Sequence, residues 1–167
     1  MDETSADSAE RSLSRLQALD ELLPTLAGVL DIREAFERVS AIARRVLPHD
    51  LMSLPLLTED RNHIKIYAVA GAEQFTQLVL PLPQHHRPLV TEPWDHIIQA
   101  GIQADPLERV TPPGAAGYRA RILIPIRIQG EFVGAMDFFS FQPDVYTSAD
   151  AMIGRRIADH GALTLSH

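Results

Sequence analysis

Seven histidines, a single tryptophan and no cysteine set the chemistry open to this chain of 167 residues. Without cysteine there are no disulfides, no thiolate metal sites and no thiol catalysis. No serine stands in a G-x-S-x-G elbow, no glycine-rich phosphate loop occurs, and no H-E-x-x-H pair is present. The expectation is therefore a protein that is not an enzyme. The histidines are His49, His63, His85, His86, His96, His160 and His167. His85 and His86 are adjacent, so in an extended chain they point to opposite sides and cannot easily hold one ion together. Either could converge with His96 across the intervening loop. Solvent-exposed loop histidines are the expected state, and no metal site is expected.

Four further side chains suit the binding of a small molecule. Trp94, the lone tryptophan, lies between loops, where an aromatic with a polar edge can wall a pocket. Tyr118 and Arg121 lead into an apolar run, and an inward-facing arginine can hold a carboxylate or similar anion. Asp137 stands between Met136 and Phe138 in another apolar run. A buried lone carboxylate is costly, so it needs a partner or a water-lined face. The candidate ligand-binding set is thus Trp94, Arg121, Asp137, Tyr118 and His86.

The elements that must position these groups follow from periodicity and turn chemistry. Ile122–Ile128 and Phe132–Phe141 flank Gln129-Gly130 and read as an antiparallel hairpin. Thr147 and Asp150 form a T-x-x-D start to a C-terminal helix. Leu51–Leu57 and His63–Val69 read as a second hairpin around a polar turn, and Gln77–Leu82 as a short further strand. Trp94–Ala100 reads as a short helix within a long irregular segment, Pro83 to Gly117. Such a segment suits a lid or a ligand-binding wall. Asp31 caps a helix that runs to Leu47, with Ile32, Phe36, Val39, Ala43 and Val46 as its apolar face. Sheet in the middle and helices at the ends predict an α+β fold with an antiparallel sheet.

Residues 1–10 are polar and acidic and are expected to be disordered. Residues 11–167 are expected to form one sensory domain. Within it, 11–30 are read as an N-terminal dimerisation or packing helix, with Leu16, Leu19, Leu23 and Leu26 near the seam of a homodimer. The same leucines could equally pack on their own sheet. Fifteen basic against 22 acidic residues give a formal net charge of −7, which argues against direct nucleic-acid binding. No apolar run approaches the ~20 residues needed to span a bilayer, and the acidic start is no signal peptide. A cytoplasmic location without direct membrane binding is the expectation.

Three stretches in order resemble the GAF domain. Leu30-Asp31-Ile32-Arg33-Glu34-Ala35-Phe36 is similar to its L-D-x-x-x-x-F helix entry. Val46-Leu47-Pro48-His49-Asp50-Leu51-Met52-Ser53-Leu54 looks like the start of its sheet. Leu123-Ile124-Pro125-Ile126, the glycine turn, Gly134 to Phe138 and the capped helix resemble its closing block. The flavour is that of N-terminal sensory domains of bacterial sigma-54-dependent transcriptional regulators; sensor histidine kinases carry similar ones. The resemblance implies about six antiparallel strands, terminal helices on one face and a small-molecule pocket on the other. It also implies a non-catalytic role that passes ligand state to an effector, here expected C-terminally, with a ligand-free dimerisation scaffold as the alternative. Covalent bilin attachment, the nitric-oxide-sensing iron site and the sulfoxide reductases of this fold all use cysteine, so none of these carries over. The cofactor stays unassigned, and a noncovalent chromophore stays open. The cyclic-nucleotide N-K-F-D-E set is not recognisable, and Asp150 is better read as a helix-capping residue.

Overall fold

The computed structural model describes residues 34–165, and the side chains of 34–160. The leucine stripe Leu16–Leu26, Asp31 and residues 1–10 lie outside the described residues. The sheet and the candidate site belong wholly to the unit that begins at Val39.

Six antiparallel strands form one sheet. In chain order they are β1 (Leu51–Leu57), β2 (His63–Ala70), β3 (Val79–Pro81), β4 (Ile97–Gln99), β5 (Ala120–Ile128) and β6 (Glu131–Ser140). Their spatial order is β3-β2-β1-β6-β5-β4. Helical residues 34–43 (α1) precede the sheet. Two short helices, α2 (Arg87–Thr91) and α3 (Pro112–Ala115), punctuate the irregular segment, and α4 (Ser148–Leu165) follows β6. The α+β architecture and the six-stranded antiparallel sheet agree with the expectation.

The turn between β5 and β6 places both Gln129 (φ 53°) and Gly130 (φ 82°) in the left-handed region. That backbone matches the twist of a tight hairpin, and glycine adopts it without strain. The expected cap of α4 is present. The Thr147 amide donates to Asp150 Oδ2 at 2.9 Å, and the Asp150 amide donates to Thr147 Oγ1 at 3.4 Å. Two orphan donors at the helix start are thereby satisfied.

Alternation along the strands gives the sheet two faces. On one, Ile122, Ile124, Ile126, Met136 and Phe138 are buried. Here α4 presents small residues, Ala151, Gly154 and Ala158. A Cβ at Gly154 would lie 3.3 Å from Phe138 Cε1 and 3.4 Å from Ile124 Cγ1, so helix and sheet approach as closely as a glycine permits. His49 is buried on this side, its ring edge-on to Phe138 at 5.4 Å between centroids. Its Nδ1 donates to the Leu47 carbonyl at 2.7 Å, which leaves Nε2 to accept from Ser40 Oγ at 2.8 Å. The other face carries the site.

Two expectations are corrected. Trp94–Ala100 is not a helix: Ile97–Gln99 is an edge strand paired with β5, Ile98 opposite Ile122. The buried stripe after residue 38 is Ser40, Ala43 and Leu47, whereas Val39 and Val46 are 41% and 57% exposed. Ser40 fits the buried row because His49 meets its hydroxyl. Among the described residues no helix is long and apolar enough to cross a membrane.

Candidate functional site

The sheet face opposite α4 floors a cavity of about 480 Å³. The strand register builds the floor row by row. Leu51, Phe139 and Arg121 align across β1, β6 and β5, and Ser53, Asp137 and Leu123 form the next row. Arg121 and Asp137 are therefore diagonal neighbours on one face. Walls come from β2 (Ile64, Ile66), from Phe75, Leu78 and Leu80, and from the Pro83–Gly117 segment with Leu89, Val90 and Trp94. The lining is mostly apolar, and its polar groups gather at one end.

Glu108 is the centre of that polar end. Its Oε2 lies 2.7 Å from His85 Nε2 and 2.6 Å from His86 Nε2, while its Oε1 lies 3.3 Å from Arg121 Nη2. Its loop is fixed locally. Asp105 Oδ1 accepts from the Leu107 amide at 2.9 Å, Gln99 Nε2 donates to Asp105 Oδ2 at 3.1 Å, and Thr111 Oγ1 donates to the Glu108 carbonyl at 2.6 Å. The loop folds back so tightly on Gly114 that a Cβ there would lie 2.2 Å from the Glu108 carbonyl oxygen. Burial alone would raise the Glu108 carboxyl. Hydrogen bonds from His86 and His85 and the Arg121 charge outweigh it, and the group is held down at about 2.

Asp137 is the opposite case. Burial pushes it up to about 7; the Arg121 charge pulls it back only in part, and Glu108 adds to the rise. Its Oδ1 and the Arg121 Nε are buried without a hydrogen-bond partner. Each unmet group of this kind costs about 1–3 kcal/mol, so the floor carries a standing polar penalty directly beneath the cavity.

The structure brings Trp94, Arg121, Asp137 and His86 to this one cavity. Trp94 donates from Nε1 to the Leu89 carbonyl at 2.7 Å and faces Phe132 with ring centroids 6.3 Å apart. Tyr118 does not line the cavity. It packs in an adjoining apolar cluster with Leu51, Ile102 and Phe139, stacked on Phe141 at 4.2 Å. The expectation that His85 and His86 diverge is corrected. Residues Gln84–His86 form a turn of 3-10 helix rather than extended chain, and both rings reach the same carboxylate oxygen. His96 does not join them; it pairs with its neighbour Asp95 at 2.9 Å. Glu108 is the functional residue that sequence reasoning missed. One acid in an irregular segment carries no periodic signal, and only chain closure gives it partners 22 and 23 residues away.

The profile of the GAF domain family matches residues 29–166. The chain belongs to the GAF domain family. No curated protein matches it in sequence. Solved structures share the fold at low identity. The GAF domain of a phosphoenolpyruvate-protein phosphotransferase from Coxiella burnetii is 21% identical with a TM-score of 0.68, over 87% of this chain and 92% of that one. The chromophore-binding domain of a bacteriophytochrome from R. palustris is 14% identical with a TM-score of 0.60, over 89% and 61%. A type II free methionine-R-sulfoxide reductase from Thermoplasma acidophilum is 18% identical with a TM-score of 0.63, over 81% and 92%. The last of these corrects the expectation of a chain that is not an enzyme, because the GAF fold found here is also the fold of an enzyme family. Any chemistry in this cavity would fall to imidazole, carboxylate, guanidinium and hydroxyl groups, since the chain has no thiol.

Proposed function

We propose that this GAF domain binds a small molecule with an apolar body and a polar head, and that binding is the input of a signalling protein. One observation carries the reading: an apolar cavity of about 480 Å³ whose polar end holds two buried, unpartnered atoms, Arg121 Nε and Asp137 Oδ1. A volume in the range of a few hundred Å³ suits a metabolite-sized ligand. Its head would accept from Arg121 and donate to, or share a proton with, Asp137. Its body would lie against Phe139, Leu123 and Trp94. Ligand state would shift a population of loop arrangements in the Pro83–Gly117 segment, because only differential affinity moves an equilibrium. β6 runs from Asp137 at the floor towards α4, which offers the route to an effector placed C-terminally.

The finer setting rests on the order of the sequence motifs: an N-terminal sensory domain of a bacterial sigma-54-dependent transcriptional regulator, acting as a homodimer through Leu16, Leu19, Leu23 and Leu26. Light scattering of wild type and Leu19→Glu tests the dimer, which the variant should weaken without unfolding the sheet. For the ligand, native mass spectrometry of freshly purified protein should reveal a retained small molecule. Thermal shift against a metabolite panel should then show stabilisation that Trp94→Ala and Arg121→Gln diminish. A stabilising ligand indifferent to both substitutions would place the binding site elsewhere.

A further inference from the structure

We infer that His85, His86 and Glu108 form a binding site for one divalent transition-metal ion at the polar end of the cavity. Two imidazole Nε2 atoms converge on a single carboxylate oxygen at 2.7 and 2.6 Å, and one donor atom from each of the three residues lies within 4.8 Å of the others. Two histidine nitrogens and a carboxylate oxygen are the donors that zinc, iron(II) and cobalt(II) prefer over magnesium or calcium. Around an ion with bonds of about 2.1 Å, neighbouring donor atoms stand roughly 3.4 Å apart. The two nitrogen–oxygen separations need only widen by less than an ångström, and the ion would take the place of the Nε2 protons that now face the oxygen.

Three features favour a built site over a chance ion pair. Glu108 is 5% exposed, and its second oxygen is held by Arg121 at 3.3 Å, which orients the first towards the histidines. The loop that carries it is tied down by Asp105, Gln99 and Thr111, so the ligand oxygen is pre-positioned. Both histidines lie on one short turn whose backbone closes from the His86 amide to the Pro83 carbonyl at 2.9 Å. Three protein ligands leave coordination positions open, and the cavity lies on that side. Glu108 and Arg121 offset one another in charge, so the charge of the ion would remain largely unmet. The open positions therefore suit an anionic or lone-pair donor on the head of a ligand whose body fills the apolar space.

The metal can be tested without any organic ligand, so its failure leaves the apolar-cavity reading standing, and the reverse holds too. Full-length protein stripped with chelator is titrated with Zn²⁺ by calorimetry and with Co²⁺ by visible absorption, with Mg²⁺ as a hard-ion comparison. We expect one equivalent of Zn²⁺ or Co²⁺ to bind with a Kd below about 10 µM, a rise in Tm, and no saturable Mg²⁺ binding. His86→Ala, His85→Ala and Glu108→Gln should each weaken binding by about 100-fold. His63→Ala and His96→Ala should retain wild-type affinity. Glu108→Gln removes a buried charge and can perturb the loop; where its unliganded Tm falls, the two histidine variants decide. Wild-type protein that takes up no Zn²⁺ or Co²⁺, or uptake that survives both His85→Ala and His86→Ala, overturns the assignment.

Discussion

The two faces of one sheet are built from alternate residues of the same strands, yet they solve opposite problems. Towards α4, Ile122, Ile124 and Phe138 meet Ala151, Gly154 and Ala158, and the space is filled down to the missing Cβ of a glycine. On the other face Arg121, Leu123, Asp137 and Phe139 look into about 480 Å³ that no side chain occupies. The polar groups differ in the same way. His49 on the packed side has both ring nitrogens paired, to Leu47 and Ser40. Asp137 and Arg121 on the open side each retain an unpaired buried atom. A packed face and an open one are thus separated by the thickness of a strand, and period-2 alternation lets the sequence set each face independently.

The strongest way to break this division is to truncate one aromatic on each side. Phe138→Ala opens a void in a packed core and should destabilise the domain by about 3–5 kcal/mol in chemical denaturation. Trp94→Ala removes a ring that borders space already present and should cost only about 1–2 kcal/mol, while sharply reducing ligand-induced stabilisation. Equal losses at both positions would mean that the cavity is packed in solution.

Titration sharpens the comparison, because the faces carry opposite signs. Asp137 rises from 3.8 to about 7, with burial the main cause and Arg121 opposing it. The folded state then holds a proton that the unfolded chain releases above pH ~4, so this contribution is present below pH ~4 and is lost as pH climbs through about 7. Arg121, Glu108, His85 and His86 are the charged and titratable groups that share this floor. The shift corresponds to at most about 4 kcal/mol, and Asp137→Asn should remove this slope. The variant should gain stability relative to wild type at pH 8 and lose that advantage by pH 4. His49 is lowered from 6.5, again chiefly by burial. Its contribution is present above pH 6.5 and is lost as pH falls through the lower folded value. His49→Gln should therefore flatten the acid limb of the stability profile and leave the alkaline limb unchanged. Urea unfolding at a series of pH values reads both, and a common sign for the two variants would refute the division.

Local chemistry made much of this legible in the sequence. The Gln129-Gly130 turn and the Thr147–Asp150 cap follow from residue type and spacing, and Arg121 and Asp137 stand out as charged residues in apolar runs. What stayed hidden depends on chain closure. Glu108 acquires its partners only when the Pro83–Gly117 segment folds over the sheet. His85 and His86 converge because a proline-led 3-10 turn replaces the extended backbone that adjacency suggests. Ile97–Gln99 is too short to show alternation, and β5 makes it a strand by offering an edge. Tyr118 precedes β5 and is drawn aside by the flat face of Phe141, away from the cavity that Arg121 enters three residues later.

The smallest expected effect tests whether the faces are coupled. Thr147→Ala removes the hydroxyl that accepts from the Asp150 amide and donates to Asp150 Oδ2, without touching sheet or cavity. Loss of an N-cap of this type costs about 1 kcal/mol. The effect should appear as a lower midpoint with an unchanged denaturant slope, since the surface exposed on unfolding is the same. Because the capping contact sits at the start of α4, apart from the Arg155 link to the Asp95 carbonyl beside the cavity wall, the Zn²⁺ affinity of the variant should stay within about twofold of wild type, as additivity of separate sites requires. A larger change would mean that the start of α4 and the cavity floor share β6 energetically. That coupling would be the physical basis for sending ligand state into the helix, and it would locate the first step of signalling at the junction of β6 and α4 rather than in the walls of the cavity.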